Sequence, residues 1–192
     1  MAHTYTWDKL AKNSTRLNSK SRGVNYPYTP KFESAVFEKG VQKGKPVIIP
    51  FVGTKSCLIK LKAWGVTQNN IHNVTLLFTD CDIILATEGM ERPSYNYFAC
   101  TYKGQKYYIK KFDKLRNPLT HRCDCADFFY TWAWGNYYNG HCLYGPPPKP
   151  YVAPRRKLPF GTRPRNPRSY IGICKHIYNA WDYLKREGLT LN

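Results

Sequence analysis

The 192-residue chain carries 30 Lys+Arg against 12 Asp+Glu, a formal net charge of +18, with 42% hydrophobic and 16% aromatic residues. That length suits one domain with appendages and a core burying about two thirds of the unfolded surface, while the charge calls for a polyanion or an acidic protein surface as neighbour. No run approaches the roughly 20 apolar residues of a membrane-spanning helix, and the opening MAHTYTWDKLAKN lacks an apolar signal-type core, so neither a membrane span nor a secreted disulfide scaffold is expected.

Residues 1–46 hold nine Lys+Arg and three acids and are rich in Asn, Ser, Gly and Lys. They read as a basic N-terminal arm, with Lys9, Lys12, Arg16, Lys20 and Arg22 along it. Gly40 to Lys45 has the look of a phosphate loop but lacks the Walker spacing and a following helix, and reads as a turn. Residues 47–192 read as a β-rich domain. Val47-Ile48-Ile49, Cys57 to Leu61, Val74 to Phe78 and Ile83 to Leu85 are short apolar or alternating runs. Tyr95 to Tyr102 and Tyr107 to Phe112 are aromatic and β-branched, with Lys103-Gly104-Gln105-Lys106 between them as a hairpin turn. Antiparallel pairing follows, and a further extended piece, Leu119 to Arg122, leads into Cys123.

A short aromatic helix is expected next, capped by Asp124 or Asp127, running through Phe128, Phe129, Trp132 and Ala133, and weakened by Gly135. A C-terminal helix is expected from about Ile173 to Glu187. Ile173, Ile177, Ala180, Trp181 and Leu184 recur at helical spacing, and Gly188 is its stop. Between the helices, residues 144–168 carry seven Lys+Arg, no acid and eight of the fourteen prolines. Proline at that density excludes helix interiors and central strands, so this insert reads as an extended arm. The predicted fold is α+β: a small antiparallel sheet with the C-terminal helix packed on it, a zinc staple, and the long basic, proline-rich arm.

Seven cysteines, an odd number, fit metal ligation or buried thiols better than disulfides in a reducing compartment. Cys123-Asp124-Cys125 is followed, after 48 intervening residues, by Cys174-Lys175-His176. Zinc takes four nitrogen or sulfur ligands in a tetrahedron, and these two pairs supply three thiolates and one imidazole. In an extended segment, residues two apart project to one side, so Cys123 and Cys125 can reach one ion. Cys174 belongs just before the helix and His176 in its first turn, where a helix N-terminus also favours a thiolate. Competing readings are two unrelated cysteine pairs in a reduced core, and a substitute ligand or second site at His141-Cys142, which otherwise is loop. His121 can back the site or face solvent, and Cys57, Cys81 and Cys100 read as buried thiols in strands.

This pattern, with its lead-in YKGQKYYIKKF, the CDCADF segment and the helix start CKHIYNAW, resembles the SWIM-type zinc finger. The resemblance covers about residues 95–187. It implies a ββα zinc module used for DNA or protein contacts, with Cys123, Cys125, Cys174 and His176 as ligands of one structural Zn2+ per chain. The insert is longer than that family's usual one. Its segments WAWGNYY, LYGPPPKPYV and RPRNPRSYIGICKH look like those of structural proteins of tailed-phage virions. That likeness implies a bacteriophage virion protein made in the host cytoplasm, multi-copy in a large assembly, with other virion proteins as partners and no membrane.

Lys149, Arg155, Arg156, Lys157, Arg163, Arg165 and Arg168 are interleaved with Tyr144, Tyr151, Phe160 and Tyr170. Cations neutralise phosphates and rings stack on bases, so a nucleic-acid groove is one reading. A proline-stiffened chain loses little entropy on docking, which equally suits a strap across a neighbouring subunit. A solvated loop is the third. An enzyme is not expected: three Cys and one His close the zinc shell against water, and the Glu of the deaminase pattern is missing.

Overall fold

The structure, a computed structural model, describes residues 5–12, 14, 32–34, 46–64, 71–143 and 171–191. It is α+β with two small antiparallel sheets and a few helices. In chain order the elements are α1 (Trp7–Ala11), β1 (Phe32–Ser34), β2 (Val47–Phe51), β3 (Ser56–Trp64), β4 (Ile71–Phe78), β5 (Ile83–Leu85), β6 (Tyr97–Tyr102), β7 (Gln105–Lys110) and β8 (Leu119–Cys123). A π-helical turn (Phe128–Trp132), α2 (Ala133–Tyr138) and α3 (Lys175–Arg186) follow.

The first sheet runs β1-β3-β4-β8, with β2 beside β1 on the same edge of β3. Alternation sets its inner face. Cys57, Ile59, Leu61 and Ala63 of β3, Val74, Leu76 and Phe78 of β4, and Leu119, His121 and Cys123 of β8 are all buried. The second sheet, β5-β7-β6, is separate, so the single sheet expected from the sequence is corrected to two. Pairing partners are what strand patterns leave open. Its β6–β7 hairpin turns on two residues, Lys103 (φ 51°) and Gly104 (φ 76°). Two successive left-handed residues match the right-handed strand twist, which makes the turn tighter than the four residues expected.

Phe78 and Phe112 stack in the shared core with centroids 4.1 Å apart, and Phe98 leans on Phe112 at 5.6 Å. Helix α3 lies over this core through Ile177, Ala180, Trp181 and Leu184, all buried. It stops at Gly188 (φ 71°), where the Leu189 N–H bonds the Leu184 carbonyl, as a left-handed helix terminus requires. Within the basic segment 1–46, α1 docks on the domain: Trp7 and Leu10 are buried, and Trp7 stacks on Trp181 at 5.0 Å with planes 10° apart. Among the described residues, no helix is long and apolar enough to cross a membrane.

Candidate metal centre

Strand β8 delivers Cys123 at its end, where the β4–β8 register sets Cys123 opposite Val74. Cys125 follows in the turn before the π-helical segment, and its Sγ accepts the Phe128 N–H at 3.3 Å. Cys174 is the N-cap residue of α3 with extended backbone (φ −76°, ψ 167°), and His176 sits in the first turn. The four ligand atoms lie within 4.8 Å of one another, and all four residues are buried. They form one cluster, as the spacing predicts.

Zn–S bonds of about 2.3 Å set neighbouring sulfurs of a tetrahedral shell about 3.8 Å apart, and a sulfur–nitrogen edge slightly shorter. Cys123 Sγ and His176 Nδ1 are 3.8 Å apart. The donor set therefore fits a zinc ion once the widest pair, at most 4.8 Å apart, draws in by about 1 Å. Thiol chemistry agrees. Burial drives the Cys123 and Cys174 thiols well above the ordinary cysteine range. Cys125 is pulled far below it, by hydrogen bonds from Cys123 first, then from Cys174. One thiolate is thus cheap in this pocket, and a second and third become so only around a cation. Nδ1 of His176 faces the thiols, and Nε2 is buried without a hydrogen-bond partner. A neutral imidazole with its proton on Nε2 offers the Nδ1 lone pair to the ion.

His141-Cys142 lies outside the ligand cluster. The Cys142 position bridges His121 at the edge of β8, through the His121 N–H to the His141 carbonyl at 3.1 Å and the Leu143 N–H to the His121 carbonyl at 3.1 Å. His121 is fully buried, and desolvation lowers its pKa to about 4, so it stays neutral. The Cys57, Cys81 and Cys100 thiols are protonated, all three raised chiefly by burial, the last two to about 12. Lys149, Arg155, Arg156, Lys157, Arg163, Arg165 and Arg168 lie outside the described residues, as does the rest of segment 144–170.

Sequence reasoning missed the residue that closes the base of that segment. Asn136, fully buried in α2, donates from Nδ2 to the Gly172 carbonyl at 2.7 Å and accepts the Gly172 N–H on Oδ1 at 3.0 Å. Its side-chain amide thereby pairs with Gly172 as a neighbouring strand would. His121 Nε2 lies between the two, 3.3 Å from the Gly172 carbonyl and 3.2 Å from Asn136 Nδ2. Gly172 is two residues before Cys174, so this clamp places the second ligand pair. α2 runs through Gly135, which is buried and does not break it. Asn136→Leu leaves the Gly172 N–H without its partner and the Gly172 carbonyl with only the longer contact to His121, and should cost about 1–3 kcal/mol. Urea unfolding at saturating zinc measures this, and a change under about 1 kcal/mol would contradict the clamp.

No protein family matches the chain, and neither curated proteins nor solved structures yield a match.

Proposed function

We propose that the protein is a non-enzymatic structural component of a tailed-phage virion, in which a structural zinc at Cys123, Cys125, Cys174 and His176 organises the basic insert and N-terminal arm to clasp neighbouring virion proteins. One observation carries this reading: the two ligand pairs flank the insert and converge in a buried cluster. Closing a loop of that length is entropically costly, and an ion that joins its ends offsets the cost. Three thiolates and an imidazole leave the ion no open position, which argues for structure over hydrolysis. The virion assignment is supported by the likeness of the insert segments.

A protein partner is favoured over nucleic acid by the residues that precede the insert in the chain. Phe129, Tyr130, Tyr137 and Tyr138 are exposed, Tyr138 by 75%. Trp134 stacks on Tyr138 with centroids 6.2 Å apart. Residues 128–143 include no Lys, Arg, Asp or Glu. A run of exposed aromatic rings in a stretch without charge suits a protein interface, where such rings are enriched. Cross-linking of purified particles should join Lys149 and Lys157 to other virion proteins, while the isolated zinc-loaded chain shows little affinity for free DNA. Tight DNA binding that falls steeply with salt would instead favour a nucleic-acid-binding zinc finger using the arms on phosphates.

A further inference from the structure

The ligand pairs are distant in the chain, yet one side chain of β4 touches both the residue between Cys123 and Cys125 and the ring of His176. Asp124, between Cys123 and Cys125, lays its carboxylate on β4. Its Oδ1 accepts the Asn73 backbone N–H at 2.9 Å and meets His72 Nδ1 at 3.2 Å, while Oδ2 accepts Asn73 Nδ2 at 2.7 Å. The Asp124 N–H returns a bond to the Asn73 carbonyl at 3.3 Å. Register explains the meeting, because pairing of Val74 with Cys123 makes Asn73 and Asp124 the next partners along the antiparallel ladder. The His72 ring in turn rests on the His176 ring, with centroids 4.7 Å apart.

We infer that His72, Asn73 and Asp124 are positioning residues of the metal centre, with His72 coupling the Cys123/Cys125 half to the His176 half. This inference rests on the metal reading of the cluster. The residue between two thiols sets how both point, and Asp124 is tied to β4 by one backbone hydrogen bond and three contacts of its carboxylate. The Asp124 side chain is 46% exposed, so its pairing with His72 adds little to global stability. Its effect is concentrated on where Cys123 and Cys125 point. Partners outside the ligand shell commonly change metal affinity by about 10–100-fold.

The test uses the full chain, with zinc affinity from competition with a chromophoric chelator and Co2+ as a spectroscopic probe of ligand geometry. Asp124→Asn should weaken zinc binding about 10–100-fold and alter the Co2+ absorption, with little change in the unfolding midpoint of the metal-free chain. His72→Phe keeps a ring against His176 but loses the bond to Asp124, and should weaken binding about 10-fold. It serves if Asp124→Asn does not fold. Asp113→Asn, which disturbs a carboxylate accepting the Leu115 N–H at 2.8 Å in another turn, should leave zinc affinity unchanged. Both site variants binding zinc within about threefold of the parent, with unaltered Co2+ spectra, would overturn the positioning role alone. A parent chain that takes up neither ion would overturn the metal reading beneath it.

Discussion

Cys174→Ser should abolish stoichiometric zinc binding and lower stability by about 4 kcal/mol or more, a fall of about 10 °C or more in Tm for a chain of this size. The magnitude follows from the cluster. Apparent binding free energies of structural zinc reach about 10–16 kcal/mol in small peptides, comparable to the whole stability of a domain. Losing one of four ligands forfeits much of that and leaves buried thiols without a cation to hold their charge. The release should be local first. Gly172 and Ile173 precede the lost ligand, so protease cleavage within 144–170 should accelerate before the sheets unfold. Stripping zinc from the parent with a chelator should reproduce the shift. Cys142→Ser, which removes a half-buried thiol outside the cluster, should retain its zinc. Equal zinc content in the Cys174 and Cys142 variants would contradict the ligand assignment.

Trp181→Ala should cost about 3–5 kcal/mol, the usual loss for a buried tryptophan. Its ring lies between Trp7 of α1, stacked at 5.0 Å, and Phe78 of β4, at 6.2 Å. It therefore joins the N-terminal helix, the ligand-bearing helix α3 and the first sheet. Truncation should lower Tm and expose residues near Trp7 to proteolysis, while saturating zinc still fills the site because no ligand changes. A loss below about 1 kcal/mol would mean that α3 is held by the metal rather than by its apolar face.

Much of this is legible in the residues. Alternation in Cys57 to Leu61 and Val74 to Phe78 marks strands because one face of each is buried. The spacing of Ile177, Ala180, Trp181 and Leu184 marks α3 because four residues return the chain to one face. Cys-x-Cys and Cys-x-His announce a four-ligand set because an extended segment and a helix entry each present two donors to one side. The rest depends on contacts that leave no periodic trace. Trp7 and Leu10 look like stray apolar residues in a basic tail until the folded core is there to cover them. Asn136 recognises a backbone, and any residue at 172 would offer the same two groups. The meeting of Asn73 with Asp124 is decided by strand register, which no local pattern specifies. The π-helical turn at Phe128–Trp132 leaves no mark in the sequence, because its aromatic spacing resembles that of an ordinary helix.

The central claim is that one ion joins the two ends of the insert, and the most direct measurement is the metal content of the purified chain by elemental mass spectrometry. One zinc per chain, lost with Cys174→Ser and kept with Cys142→Ser, is the expected result. A chain purified under reducing conditions that holds no zinc and takes none up would contradict the claim, leaving a buried cluster of three thiols and an imidazole with no structural ion.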